Sequence, residues 1–206
     1  MVEMVNGVYL SSVISVLGIV GNVLNMAVFV KFGLQSTINI SFTMLAFSDL
    51  ASMVTLLWYN VCGSPEFMTS GVPFIFAEVK HLTAGFPHAC FSRVTSWVTV
   101  YITAERFLCV AFPLKIKRMI TPRKAAGVIF VIYAVMILSL LPEYSTVYLT
   151  WMFYPSLNKT LLGLAFTNNR EDFDGVSLLL YAAFMIASFF GITGFTIALL
   201  VVFKDQ

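Results

Sequence analysis

Charge is scarce in this sequence. Only 11% of its 206 residues are Asp, Glu, Lys or Arg, where a soluble domain carries about 25%. Cysteine is scarce too. Cys62, Cys90 and Cys109 are odd in number and widely spaced, and their spacing matches no metal-ligand pattern. The two histidines, His81 and His88, belong to no HExxH or related motif. No phosphate-cradling loop and no pairing of a nucleophile with a base is visible, so nothing supports an enzyme. Nothing points to nucleic acid, and no cofactor is implied by these residues. Low-complexity tracts, long linkers and internal repeats are missing as well.

What the sequence has is apolar length. Hydrophobic residues make up 59% of it. They gather into runs long enough to cross about 30 Å of hydrocarbon, which takes about 20 residues at a rise of about 1.5 Å each. Val8–Val30 carries no charge. It is too long for the apolar part of a signal peptide, and acidic Glu3 precedes it where basic residues would be needed. Ile38–Val61 holds one charge, Asp49. The third run passes through Arg93 to an edge at Glu105-Arg106, with Pro87 in its first turns or kinking it. Thr121-Pro122 signals the start of the fourth, which Pro142 stops. Gly175–Phe203 is uncharged. None of the runs alternates as a barrel strand would. The expectation is an all-α membrane protein with five transmembrane helices at about 8–31, 37–61, 83–112, 123–142 and 175–203. The stretch from Glu143 to Asp174, rich in aromatics, reads as a long polar loop.

Basic residues orient the bundle. Lys31, Arg106, Lys115, Lys117, Arg118, Arg123, Lys124 and Lys204 fall on one side, against Lys80, Lys159 and Arg170 on the other. The first group marks the cytoplasm, so the N-terminus is outside. Asn158-Lys159-Thr160 is then an outward glycosylation sequon, whereas Asn39-Ile40-Ser41 lies at a cytoplasmic helix entry and is disregarded.

Three polar features stand out inside the apolar runs. A carboxylate near the bilayer centre, as at Asp49, costs about 2.5–3.5 kcal/mol. It should face the bundle interior and meet water, a cation or a partner such as Asn22, either as an ion or switch site or as a polar cluster that fixes packing. Arg93 lies about 20 Å above Arg106 on the same helix. It either snorkels to the outer interface or lines a ligand cavity. Glu105 and Arg106 point about 100° apart and, on local chemistry alone, read as an ordinary interfacial pair.

Taken together, Gly21-Asn22-Val23, Leu45-Ala46-Phe47-Ser48-Asp49-Leu50 and Glu105-Arg106-Phe107 with Val110 and Pro113-Leu114 resemble the rhodopsin-like (class A) G-protein-coupled receptors. The likeness is good over residues 8 to about 125 and rests on topology beyond that. It implies a multi-pass plasma-membrane receptor in membrane lipid that passes an extracellular signal, a peptide or a chemosensory cue, to a heterotrimeric G protein. Arg106 would be restrained by Glu105 at rest and released toward the G protein, with Phe107, Pro113 and Leu114 beside it. Asn22, Asp49 and Thr95 would form the polar core, with a sodium ion at Asp49. His88, Ser92 and Arg93 would be ligand-cavity candidates. Trp97 also suits the family's third helix.

The departures are specific. His88 stands where amine receptors carry an Asp, which disfavours an amine ligand. The fourth helix has Ile132 near the place of the family's Trp, and Gly191 and Gly194 stand near that of the fifth helix's Pro. Patterns of a sixth and seventh helix do not occur, so the expectation is a receptor truncated after the fifth. A short form that binds complete receptors without signalling is the second reading. A transporter or channel marked by Asp49 and Arg93 is the third, without the inverted repeat that would favour it. The family's bridge from the third helix to the second outer loop is not available: His81 stands near the helix position and the loop has no cysteine. A Cys62–Cys90 bridge has no fixed geometry behind it. Alkylation of the denatured, unreduced chain should therefore label both thiols; protection of both would establish the bridge.

Overall fold

The computed structural model describes residues 2–155 and 158–204, with side chains from residue 7 onward except those of Lys117, Arg118, Glu171 and Asp172. Of these, Lys117 and Arg118 entered the charge pattern above, and their side chains lie outside the described residues. Five long helices dominate: α1 Val2–Lys31, α2 Thr37–Gly63, α3 Phe86–Ala111, α4 Pro122–Leu138 and α5 Arg170–Lys204.

Local chemistry sets the helix ends. After Lys31 the chain turns at Gly33, whose φ of 89° is open to glycine. Asn39 Nδ2 donates to the Gly33 carbonyl at 2.8 Å and holds that turn against α2. Ser64 ends α2 and caps the short helix Pro65–Met68, its hydroxyl accepting from Phe67 N at 3.3 Å. Thr121 caps α4 by accepting from Lys124 N at 3.4 Å. Pro142 does interrupt the fourth run, yet the chain resumes as a short helix, Leu141–Thr146, with the proline in its first turn, where its missing N–H costs nothing. α5 begins at Arg170, earlier than its apolar run, and an Arg170–Asp174 ion pair of 3.0 Å closes its first turn.

The helical path into α3 also starts earlier than its apolar pattern. Helix Phe76–Lys80 leads through a π-helical turn, His81–Gly85, directly into Phe86–Ala111. Pro87 follows that turn and has no N–H to offer the carbonyl of Thr83, so the ladder widens there.

α1, α2, α5 and the stretch Pro122–Thr146, which joins α4 to the short helix after it, are long and apolar enough to span a membrane. α3 is less apolar because it is the central helix. It packs against α2, α4 and α5, and its Cys90, Val94 and Val98 join Ile129 and Met136 of α4 in the buried core. Lipid is as apolar as leucine, so close packing and interhelical polar contacts hold such helices together. α1 and α5 expose large apolar side chains along much of their length, as Leu17, Leu24, Leu178 and Phe190 show.

The chain is mostly helical but not wholly so. Within the stretch expected to be a loop, β1 Val147–Tyr154 and β2 Lys159–Phe166 form an antiparallel hairpin, with Trp151 opposite Leu162. Branched and aromatic side chains favour these strands, and Asn158 takes the left-handed φ of 48° that asparagine tolerates at the turn. The hairpin docks on the loop before α3. Leu162 N donates to Pro73 O at 2.8 Å, and Ile75 N donates to Leu162 O at 2.9 Å. Glu78 Oε2 then accepts from Leu164 N at 2.8 Å, taking the place of a strand carbonyl. Gly163 lets this happen, because a β-carbon there would press on Tyr154 Oη and stand 2.7 Å from Glu78 Oε2. Cys62, Cys90 and Cys109 are all free, the first two buried.

Gly163→Ala should loosen the hairpin by about 1–3 kcal/mol. Faster amide exchange across Lys159–Phe166, with α2 and α4 unchanged, would show it; exchange equal to wild type would mean that the glycine is not needed.

Candidate functional site

The polar residues of α2 and α3 meet along one seam. Ser41, Ser48 and Ser52 are buried on a single face of α2, spaced seven and then four residues apart, which is a helical repeat. Small side chains there let α3 approach closely, and each serine finds a polar partner on α3 in antiparallel order.

At the outer end, Ser52 Oγ lies 3.0 Å from His88 Nδ1 and 3.1 Å from Ser92 Oγ. His88 Nδ1 is also 3.0 Å from the Ser52 carbonyl, which fits a proton on that nitrogen. In the middle, Thr95 donates to Asp49 Oδ1 at 2.7 Å and lies 3.0 Å from Ser48 Oγ. At the inner end, Ser41 Oγ reaches Glu105 Oε2 at 3.4 Å, a long contact, while donating to Thr37 O at 2.8 Å.

Asn22 does not join Asp49. Its amide donates to the Gly18 carbonyl of its own helix at 3.0 Å, so the carboxylate is met from α3 by Thr95, whose hydroxyl also reaches Ser48. The oxygens of Asp49, Thr95 and Ser48 form a hard-donor group of a kind that suits a small cation.

Glu105 and Arg106 form no ion pair with each other. Glu105 is buried against α2, and the Arg106 guanidinium stands 5.9 Å from the centre of the Phe42 ring. Phe107 faces the other way, its ring 6.1 Å from that of Phe195 on α5. Three consecutive residues thus touch two different helices. Pro113 and Leu114 follow in an open turn, with Leu114 94% exposed.

The three ligand-cavity candidates divide. His88 and Ser92 face α2, as described. Arg93 is buried on another side of α3, its Nε donating to Ala89 O at 3.3 Å and its guanidinium 5.4 Å from the Tyr181 ring centre. It lines a cavity of about 50 Å³ together with Glu143, Ser177 and Tyr181. Arg93 therefore lines a cavity and does not reach for the outer interface. The cavity is of the size that holds water. Ser177 Oγ is buried there without a hydrogen-bond partner among the described residues, a position a water would satisfy.

Several contacts around the seam and the loop before α3 were not evident from the sequence. The serine face of α2 was legible in principle from its repeat. Tyr133, beside Ile132, ties α4 to α2 by donating to Met44 O at 2.7 Å. Outside the spanning helices, burial and then the neighbouring Lys80 hold His81 below its ordinary pKa. Its ring packs edge-on to Tyr59, 5.6 Å away, with Lys80 Nζ 4.6 Å from the same ring. Burial, followed by the Glu78 carboxylate, raises the Tyr154 phenol.

Comparison with known proteins bears on this arrangement. Growth hormone secretagogue receptor type 1 of Homo sapiens is 30% identical over 128 residues, covering 58% of this chain and 32% of that receptor. The chain spans about a third of the length of that relative. The model of the serpentine type 7TM GPCR chemoreceptor Srx family matches residues 13–204. That match takes in α1 from residue 13, the other four long helices, the hairpin and both ends of the serine seam, and the chain belongs to the Srx family of serpentine 7TM GPCR chemoreceptors.

Proposed function

We propose that these five helices are part of a rhodopsin-like plasma-membrane receptor that carries an extracellular ligand signal, a peptide or a chemosensory cue, to a heterotrimeric G protein. The observation that carries this reading is the inner end of α3. Glu105 is held by α2, and Arg106 rests over an aromatic ring without a carboxylate partner among the described residues. A guanidinium so placed is restrained by a weak contact, worth about 0.5–1 kcal/mol at an exposed site. It can leave Phe42 for a partner arriving from the cytoplasm at little cost. The exposed Leu114 turn beside it presents an apolar contact to the same partner. Ligand binding outside would shift the population between two packings of the helices and so change what this face presents.

Asp49 with Thr95 and Ser48 is the proposed sodium site, in the middle of the α2–α3 seam. A cation there would tighten the two helices. Asn158, exposed on the hairpin turn, is the proposed glycan site.

Two measurements test these roles. Arg106→Ala, in the receptor reconstituted in lipid discs with purified G protein, should cut basal nucleotide exchange at least about tenfold, since a charged hydrogen bond to the partner is lost. Surface expression should stay measurable, and exchange equal to wild type would remove Arg106 from the coupling role. For the sodium site, the thermal midpoint of the purified chain should rise with sodium chloride relative to choline chloride, by linkage to ion binding. Asp49→Asn should abolish that difference; a midpoint indifferent to sodium in the unmutated chain would rule the site out.

A further inference from the structure

The two edges of the outer hairpin are treated differently by the fold. On the β2 edge, Leu162 is paired with Pro73 and Ile75, and Leu164 N is held by Glu78. These bonds fix which way each backbone group points. In an antiparallel ladder a residue's N–H and C=O point to the same side. Leu162 and Leu164 point away from β1, so their opposite numbers, Trp151 and Leu149, point away from β2. Phe153, opposite Thr160, does the same. Among the described residues the backbone groups of Leu149, Trp151 and Phe153 have no hydrogen-bond partner.

This open edge has none of the usual protection. Exposed strand edges are normally guarded by a charge, a proline or a bulge. β1 reads Val-Tyr-Leu-Thr-Trp-Met-Phe-Tyr, with no charged residue, no proline and no glycine. The side chains of the same three residues share one face of the hairpin, where Trp151 is 58% and Phe153 61% exposed. Phe166 lies on that face too and carries the Arg170 guanidinium 3.9 Å from its ring centre.

We infer that the free edge of β1, from Leu149 to Phe153, is a binding site for an extended apolar peptide, which adds as a third strand beyond β1. Backbone hydrogen bonds to Leu149, Trp151 and Phe153 would supply the attachment, and alternate side chains of the peptide would lie against Trp151 and Phe153. The occupant is a peptide rather than a compact ligand because the unpaired donors and acceptors form a row at strand spacing. Its middle is uncharged because the edge offers no charge to pair with. The inference rests on the outward placement of the hairpin in the reading above, and it makes the ligand of that reading a peptide.

The test is a binding measurement on the chain in lipid discs, independent of any G protein. The probe is a fluorescent, end-blocked peptide of about seven alternating threonine and valine residues, a length that matches a typical strand. It should bind saturably. N-methylation of the alternate amides that would face β1 should weaken binding at least about tenfold, and methylation of the other set should not. Trp151→Lys, which places a guarding charge on the edge, should weaken it similarly while amide exchange at Leu164 stays slow, showing that the hairpin remains docked. Equal binding of both methylated sets, or no saturable binding, overturns the inference. Self-association of the discs' cargo that Trp151→Lys abolishes would also overturn it, by giving the edge to a second copy. Peptide binding without nucleotide exchange in the receptor would leave the inference standing and count against the coupling function instead.

Discussion

The contact between α2 and α3 is the constraint on which the rest of the bundle depends. It has no hydrophobic driving force of its own, because lipid would serve the same side chains equally well. What fixes it is a line of hydroxyls that must find partners inside a medium that offers none. Ser41, Ser48 and Ser52 meet Glu105, Thr95 and the His88–Ser92 pair in order. Each interhelical bond of this sort is worth only about 0.6 kcal/mol on average, but a one-residue slip would misplace all of them together. The seam therefore sets register more than it adds stability. It also explains why α3 can be the least apolar of the five long helices and still lie at the centre. The remaining helices pack around it, α4 through Ile129, Met136 and the Tyr133 bond to Met44 O, α5 through Phe184 against Trp97 and Phe195 against Phe107.

Much of this was legible in the residues. Uninterrupted apolar runs define four of the helices because a membrane span has to satisfy its backbone internally and show lipid an apolar surface. Asp49 identified itself by its cost. Thr95, expected beside it, is the residue that bonds it. Asn22 was not so readable: a side-chain amide in an apolar helix can bond its own backbone as well as a neighbour, and here the Gly18 carbonyl wins. Sequence adjacency likewise says nothing about pairing at Glu105-Arg106. The helix turns the two side chains apart, and α2 supplies a different partner to each.

The outer face was the least legible part, for a physical reason. Its strands are short, lie in a segment mixed with polar residues, and are stabilised by the loop before α3, which is distant in sequence. Alternation alone gives no warning, since both faces of β1 carry aromatics. The backbone bonds of Leu162 to Pro73 and Ile75, the Glu78–Leu164 bond and the close approach at Gly163 show how the two loops belong together. The π-helical turn at His81–Gly85 was hidden similarly, with Pro87 signalling a disturbance but not its form.

Glu78 has one more consequence. It joins the approach to α3 to the second outer loop, the two places that the rhodopsin-like resemblance would have bridged with a disulfide. A carboxylate accepting one backbone N–H forms and reverses without electron transfer. Maturation of this joint thus needs no oxidase or isomerase and cannot be trapped by wrongly matched thiols. Its cohesion is indifferent to the redox poise of the surroundings, so a reductant that would unfasten a stapled outer face leaves this one closed.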